Sequence, residues 1–209
     1  DNDWNIDGSG NLVNANSGTV SVSVDANING LTVGKGGGNV NTNTASGKDA
    51  LLNNTTGMNN TAVGYDALAT NTTATFNTAF GSSSLSTNTD GRENTATGGQ
   101  ALKLNTTGHY NTATGYNALA ANTTGHFNTA TGNHAMRNTT TGIGNTGVGN
   151  KALMVNTTGG NNTSIGYGSL QSNISGSNNT ALGQSAGDEI TTGSNNIAIG
   201  YNSDFSSNN

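Results

Sequence analysis

The segment Asn111–Phe127 reads N-T-A-T-G-Y-N-A-L-A-A-N-T-T-G-H-F, and versions of it fill most of the chain. Its first asparagine returns every 17 residues without a slip, and a glycine follows each of these asparagines four residues later. The asparagines are Asn43, Asn60, Asn77, Asn94, Asn111, Asn128, Asn145, Asn162, Asn179 and Asn196, and the glycines are Gly47, Gly64, Gly81, Gly98, Gly115, Gly132, Gly149, Gly166, Gly183 and Gly200. Spacing this regular excludes random low complexity and predicts a repeat architecture.

We number the unit from its asparagine, and each position of the unit predicts a local structure. Positions 1–4 alternate as a strand, the glycine at position 5 marks a bend, and positions 7–9 form a second short strand that returns the leucine at position 9 to the core. The N-T-T-G stretch at positions 12–15 is a turn whose glycine takes the left-handed conformation. A 17-residue unit is too short for a helix–turn–helix or a propeller blade. We therefore expect an all-β, parallel β-solenoid with coils stacked in register about 4.8 Å apart.

The composition narrows the possible functions of this 209-residue, 20.8 kDa chain. Charged residues make up 8%, the net charge is −5, and there is no cysteine. Thiolate metal sites and disulfides are therefore excluded, binding to a phosphate backbone is improbable, and no apolar run is long enough for a membrane helix. Much of the apolar share is alanine, which argues against a compact enzyme, so we expect no catalytic residue, metal or cofactor.

Three copies of the strand resemble a known signature. The segments N-N-T-A-V-G (Asn59–Gly64), N-N-T-S-I-G (Asn161–Gly166) and N-N-I-A-I-G (Asn195–Gly200) are similar to the N-S-V-A-I-G signature of the YadA-like heads of trimeric autotransporter adhesins, which also occurs in phage tail fibres. The resemblance implies a left-handed β-roll, three chains packed side by side, and inward side chains at Thr61 and Val63. The family repeat is usually shorter, and threonine here replaces its first inward aliphatic residue.

The first 42 residues differ from the repeats, so we divide the chain into an N-terminal segment (1–42) and a ten-coil repeat domain (43–209). Trp4–Val13 predicts a hairpin around Asp-Gly, and the valines at 20, 22 and 24 predict another strand. The glycine run Gly36–Gly38 is interpreted as a hinge into the first coil. The preceding I-N-G-L-T-V-G (Ile28–Gly34) looks similar to cyanophage fibre proteins, which favours a viral fibre.

Short motifs offer little chemistry. Asp3–Asn11 has the spacing of a calcium loop, but Asn14 stands where the bidentate acid is needed, so a plain turn is favoured. Gly142–Gly147 matches G-x-G-x-x-G, yet no helix is predicted after it. His109 and His126 share position 16 and should stack, either as a metal ladder or, as we favour, as exposed turn residues.

Rows of identical residues are the better candidates for function. We expect structural ladders of the position-1 asparagines, Asn60 to Asn162, and the position-5 glycines, Gly64 to Gly166. Aromatic residues recur at position 6 (Tyr65, Tyr116, Tyr167, Tyr201) and position 17 (Phe76, Tyr110, Phe127) and either contact surface glycans or fill a trimer seam. The position-2 threonines, Thr61 to Thr163, are expected to point inward as a hydrogen-bonded ladder; if instead they are exposed, the pairs Thr95/Thr97, Thr112/Thr114 and Thr129/Thr131 favour an ice-binding face.

These observations predict a non-catalytic, homotrimeric, structural and adhesive fibre segment outside the cell, on a virion tail fibre or a cell surface. Its expected partners are further copies of itself, neighbouring fibre domains, and a host-surface glycan or protein. A bacterial autotransporter-type adhesin and an ice-binding protein are the alternatives.

Overall fold

The computed structural model describes residues 4–6, 12–14, 26–28 and 31–204, and it is a β-solenoid of about nine turns with coils of about 17 residues. The predicted all-β, parallel solenoid with 17-residue coils is therefore confirmed. Each coil contributes one three-residue strand to a single long sheet. These strands are β5 (Thr44–Ser46), β6 (Thr61–Val63), β7 (Thr78–Phe80), β8 (Thr95–Thr97), β9 (Thr112–Thr114), β10 (Thr129–Thr131), β11 (Thr146–Val148), β12 (Thr163–Ile165), β13 (Thr180–Leu182) and β14 (Ile197–Ile199).

The strands pair in parallel with a constant offset of one repeat unit. Thr112 of β9 pairs with Thr129 of β10, and Ala113 pairs with Ala130. Because every coil has the same length, identical positions lie directly above one another along the whole solenoid. Any property of one position therefore becomes a row along the molecule.

The N-terminal end of the sheet is covered by an antiparallel hairpin. Strands β3 (Ala26–Ile28) and β4 (Leu31–Gly34) pair with each other, and β4 pairs antiparallel with β5. At the predicted glycine hinge, Gly37 and Gly38 enter a short 3-10 helix, η1 (Gly37–Asn39), and a Cβ on either would lie less than 3.0 Å from backbone oxygens of the first coil. These glycines are needed because the chain packs tightly there. The hinge itself stays a prediction.

A separate hairpin precedes these strands. Strand β1 (Trp4–Ile6) pairs antiparallel with β2 (Leu12–Asn14), which confirms the predicted hairpin. The calcium-like loop and the expected strand at 20–24 lie outside the described residues. The division of the chain at residue 42 stays a prediction.

The core of each coil is narrow and built from three positions. The alanine at position 3, the small residue at position 8 and the leucine at position 9 are all buried, as in Ala113, Ala118 and Leu119. One large side chain per coil is enough to fill the space because the two walls of the coil lie close together. The predicted return of the position-9 leucine to the core is confirmed.

The predicted second strand at positions 7–9 is wrong. Successive residues of a strand point to opposite faces, but Ala118 and Leu119 are both fully buried. The chain achieves this with left-handed residues at positions 7 and 9, where Asn117 has φ 56° and Leu119 has φ 50°. This half of each coil is a series of turns, joined to its neighbours by backbone hydrogen bonds such as Leu119 N–H to Ala135 O (3.1 Å).

The close approach of neighbouring coils accounts for the glycines at position 5 and for most of those at position 15, where one unit carries Ala74 instead. At position 5 the glycines have φ between 122° and 144°, and for all of them up to Gly183 a Cβ would lie less than 3.0 Å from the glycine of the next coil. The glycine at position 15 was expected to be left-handed, but its φ is not positive. Its reason is steric, because a Cβ on Gly108 would lie less than 3.0 Å from the Gly125 carbonyl.

Candidate functional site

The position-1 asparagines lie inside the coil and link each coil to the next. Asn111 Nδ2 donates to Gly125 O (2.8 Å) and to Asn94 Oδ1 (3.1 Å), and Asn111 Oδ1 accepts the backbone N–H of Asn128 (3.0 Å). The same backbone-to-side-chain bond recurs from Asn60 to Asn196. These buried amides replace part of the apolar core by a continuous polar row, and each one satisfies donors and acceptors that the turns leave open.

A second asparagine row, at position 12, was missed by the sequence analysis. Asn105 Nδ2 donates to Asn88 Oδ1 (2.7 Å) and to the carbonyl of Gly108 in its own coil (3.0 Å). The row contains Asn54, Asn71, Asn88, Asn105 and Asn122, and then Asn156 and Asn173. Its signal in the sequence is constancy, because half-buried or exposed positions such as 10, 11 and 17 vary freely from unit to unit.

Thr139 interrupts this second row. It occupies position 12 of its coil and is fully buried, and its hydroxyl has no hydrogen-bond partner. The Oδ1 of Asn122, which a neighbouring asparagine would satisfy, is also without a partner. The break therefore leaves two buried polar atoms unsatisfied at the same point of the solenoid.

Replacing Thr139 by asparagine is expected to raise the stability of the folded chain by about 1–3 kcal/mol, because the new amide supplies the donor that Asn122 Oδ1 lacks and an acceptor for Asn156. Thermal or denaturant unfolding measures the change. The matched control is Thr141→Asn, an exposed site in the same turn that should leave stability unchanged. A lower melting temperature for Thr139→Asn would contradict the assignment of this row.

The strand face that we expected inside the coil is on its outside. Thr61 and Val63 are partly exposed, while Ala62 between them is fully buried. The inward assignment of the position-2 threonines is therefore wrong for the folded chain, since the members of the row are half-buried or exposed. The row is Thr61, Thr78, Thr95, Thr112, Thr129, Thr146 and Thr163. The alternation of the strand was read correctly, but the small residue faces the core because the position-9 leucine already fills it.

A threonine row with the expected hydrogen bonds exists elsewhere, at position 13. Thr106 Oγ1 donates to Thr123 O (3.0 Å), and Thr123 Oγ1 donates to Thr140 O (3.1 Å). Both hydroxyls bond across the step between coils, which ties the N-T-T-G turns together. The hydrogen bonds between coils are those predicted for the position-2 threonines, but they occur on a different row, whose hydroxyls are half-buried or exposed and not enclosed in the core.

We call positions 2, 4 and 17 the outer strand face. Position 17 belongs to it because Phe76, Glu93 and Thr95 line one surface depression. The rings of Tyr110 and Phe127 stack with centroids 5.0 Å apart and planes within 1°. Aliphatic and aromatic residues at positions 2 and 4 extend this face towards the C-terminal coils, and the exposed ones are Phe80, Ile165, Leu182, Ile197 and Ile199.

The position-6 tyrosines lie beyond the position-5 bend. They belong to the half of each coil that is built from turns, which we call the turn side. Their exposed fractions are 50% for Tyr65, 49% for Tyr116, 53% for Tyr167 and 74% for Tyr201. They do not form a continuous stack, because serine, glycine, asparagine or glutamine occupies the intervening coils. Tyr116 instead contacts the ring of His134 edge-on, with centroids 5.7 Å apart.

His109 and His126 stack as predicted, with ring centroids 5.1 Å apart. The Nδ1 of each ring accepts a backbone N–H from the preceding coil, from Arg92 to His109 and from His109 to His126 (both 2.9 Å). This arrangement requires Nδ1 to be unprotonated. Burial, followed by the charges of His126 and Arg92, lowers the pKa of His109, although Asp90 and Glu93 act in the opposite direction.

Acidification is expected to destabilise the chain through His109. Because the folded-state pKa of His109 lies below its unfolded value of about 6.5, stability is full above pH 6.5 and falls as the pH drops towards the folded-state pKa. Melting temperatures at about pH 7.5 and pH 5 measure the effect. In the double variant His109→Asn/His126→Asn the side-chain oxygen replaces Nδ1, so the loss on acidification should be smaller. An equal loss in both proteins would contradict this role of His109.

Other motifs contribute no site. The G-x-G-x-x-G stretch at 142–147 runs into strand β11 and not into a helix. Within residues 31–204 and the three short described segments, no group of three or more His, Asp or Glu side chains is placed to hold a metal ion. In the same part of the chain, no helix has the length and apolar character to cross a bilayer.

No protein-family model, curated protein or solved structure matches the chain. The site must therefore be interpreted from its geometry. That geometry comprises a solenoid with a buried amide core, an exposed outer strand face and a turn side that carries tyrosines and most of the basic residues.

Proposed function

We propose that the chain is a structural and adhesive fibre segment, a homotrimeric and left-handed β-roll of the kind that its sequence resembles, without catalytic activity. Such a segment projects or forms a host-binding surface on a virion tail fibre or a comparable cell-surface appendage. Its partners are two further copies of itself, the neighbouring fibre domains and a glycan or protein of the host surface.

The observation that carries this proposal is the uncovered outer strand face. Parallel sheets in proteins are normally covered on both faces, yet this sheet presents aliphatic and aromatic side chains to solvent. Phe80 is 56% exposed, and Ile197 and Ile199 are each 64% exposed. Three chains with these faces turned towards a common axis would bury them in an interchain core.

The two aromatic rows then have different roles. Phe76, Tyr110 and Phe127 belong to the outer strand face and fill the seam between chains. The position-6 tyrosines stay on the turn side, where their exposed rings and hydroxyls are suited to stacking on sugars and bonding to sugar hydroxyls. In this proposal the position-17 row takes the seam role and the position-6 row takes the glycan role, although the sequence alone left both roles open for each row.

The oligomeric state tests the proposal. We expect light scattering or native mass spectrometry to give three times the 20.8 kDa chain mass. Ile165→Asp, a charge on the outer strand face, should abolish the trimer, whereas Thr158→Asp, an exposed turn position, should leave it intact. A monodisperse monomer of the unmodified protein would refute the seam.

The exposed threonines support a second candidate, an ice-binding protein. Thr95/Thr97, Thr112/Thr114 and Thr129/Thr131 lie outward on three adjacent, parallel strands and so form a regular array of hydroxyl and methyl groups. A thermal-hysteresis assay separates the candidates, because a face buried in a trimer cannot reach ice. Thermal hysteresis in a monomer, lost in Thr112→Lys, would favour this candidate over the fibre.

A further inference from the structure

The charges of the chain are unevenly distributed. From residue 94 to residue 187 the sequence contains no aspartate and no glutamate, although the whole chain carries a net charge of −5. The same stretch contains three of the six basic residues, Lys103, Arg137 and Lys151. Among the described residues the only ion pair joins Lys48 to Asp49 (3.9 Å), so these three cations have no carboxylate partner there. The middle of an acidic molecule is therefore locally basic.

Two of these cations flank a cleft on the turn side. Lys103 and Arg137 both occupy position 10, two coils apart, and Ala120 occupies the same position in the coil between them. The register is fixed by backbone bonds from Leu104 N–H to Ala120 O and from Ala121 N–H to Arg137 O (both 3.0 Å). Because Ala120 and Ala121 have short side chains, the middle coil forms the floor of a cleft of about 210 Å³.

The remaining walls of this cleft, which we call the basic cleft, combine amides with one apolar surface. Gln100, Asn117 and Asn138 line it and offer donors and acceptors for hydroxyl groups. Leu104, which is 45% exposed, supplies an apolar wall. The volume is below that of pockets for drug-sized ligands, which start at about 300 Å³, and suits a single ring.

Lys151 is a third cation and extends the positive region beyond the cleft, next to His134. His134 occupies position 7, and its Nε2 lies 3.4 Å from Asn117 Nδ2 in the cleft wall. Burial, then the charges of Arg137 and Lys151, lowers the pKa of His134, so both cations act on this side chain.

We propose that the basic cleft binds a saccharide that carries a carboxylate. The carboxylate would lie between Lys103 and Arg137, and the guanidinium can hold it with two parallel hydrogen bonds. The ring hydroxyls would bond to the amides, and the C–H face of the ring would lie on Leu104. This inference rests on the proposed adhesive function, because it names the class of surface glycan that the segment recognises.

Titration calorimetry of the full chain tests the proposal with hexagalacturonate as the probe and a neutral hexasaccharide as its comparison. We expect binding of hexagalacturonate alone. Arg137→Gln and Lys103→Gln should each weaken it at least about tenfold, the order expected for one charge-assisted contact. Ala120→Leu, which fills the floor, should abolish it. Lys35→Gln, a cation outside both the cleft and the tyrosine row, is the matched control and should change nothing.

Several outcomes would overturn the site. The first is no binding of hexagalacturonate, and the second is equal binding of the neutral hexasaccharide. The third is an equal loss of affinity in Lys35→Gln and Arg137→Gln, which would show non-specific charge attraction. Binding of dextran sulfate without hexagalacturonate would assign the cleft to sulfate and refute the carboxylate. A trimer without uronate binding refutes this site alone, whereas a monomer refutes the seam of the proposed fibre.

Discussion

Gly115→Val is expected to cost about 2–6 kcal/mol and to leave the chain largely unfolded around the fifth and sixth coils. Gly115 has φ 133°, and a Cβ there would lie 2.5 Å from Gly132 O and 2.7 Å from Gly132 C. The strain of an unfavourable backbone conformation, about 1–3 kcal/mol, adds to overpacking of about 1–3 kcal/mol or more. The obstructing atoms belong to backbone, so no side-chain movement relieves the clash.

The comparison for this variant is Thr114→Val, one residue earlier. Thr114 is exposed on the outer strand face, and Val63 and Val148 occupy the same position in other coils, so its replacement should change stability by less than about 0.5 kcal/mol. Asn117 would be a poor control because it is 7% exposed and has φ 56°. Equal melting temperatures for Gly115→Val and Thr114→Val would show that position 5 is not the point where the coils meet.

Asn111→Ala is expected to cost about 2–5 kcal/mol. The amide oxygen of Asn111 is the recorded acceptor for the buried N–H of Asn128, and an unsatisfied buried donor costs about 1–3 kcal/mol before the lost bonds to Asn94 and Gly125 are counted. Denaturant unfolding at constant m-value measures the loss. Asn133→Ala, an exposed asparagine at position 6, is the control and should be nearly neutral. A loss no larger than that of Asn133→Ala would mean that the buried row does not hold the coils together.

The sequence predicted the period, the solenoid and the buried leucine because these depend on spacing alone. It did not predict which face of the strand is inside, since alternation separates Thr61 and Val63 from Ala62 without saying where the core lies. The usual rule that bulky residues point inward failed here. At position 3 the core has room only for a small residue such as Ala62, because Leu68 enters from the opposite wall.

The core also adjusts its volume between coils in a way that no single unit shows. Position 3 is glycine at Gly147, where a Cβ would lie 2.7 Å from Met136 Cγ, so the longer methionine of the preceding coil uses the space of the missing methyl group. At Ser164 the hydroxyl bonds to Ser169, the residue that replaces alanine across the same coil. These exchanges link residues that are neighbours only in the folded chain, and sequence spacing could not reveal them.

Part of the candidate site could be anticipated and part could not. The histidine stack follows from identical positions in successive units, and the tyrosine row from the recurrence of tyrosine at position 6 of four units. The basic cleft does not, because position 10 alternates there between a cation and a small residue: Lys103 and Arg137 are separated by Ala120 in the coil between them. A position whose residue changes from unit to unit gives no signal of a site in the sequence. The site becomes visible only when the stacked coils bring these residues together.

The backbone bonds between coils also set how the molecule behaves under load. Each bond joins residues about one unit apart and so lies along the stacking direction, as between Thr112 N–H and Asn128 O (2.8 Å). A force that pulls the two ends of a single chain apart therefore breaks these hydrogen bonds one coil after another. It does not load the bonds of many coils at the same time. Each coil that detaches frees 17 residues, which extend to roughly 55–60 Å, in place of a folded rise of about 4.8 Å. The solenoid can thus lengthen stepwise under tension and absorb mechanical energy one coil at a time.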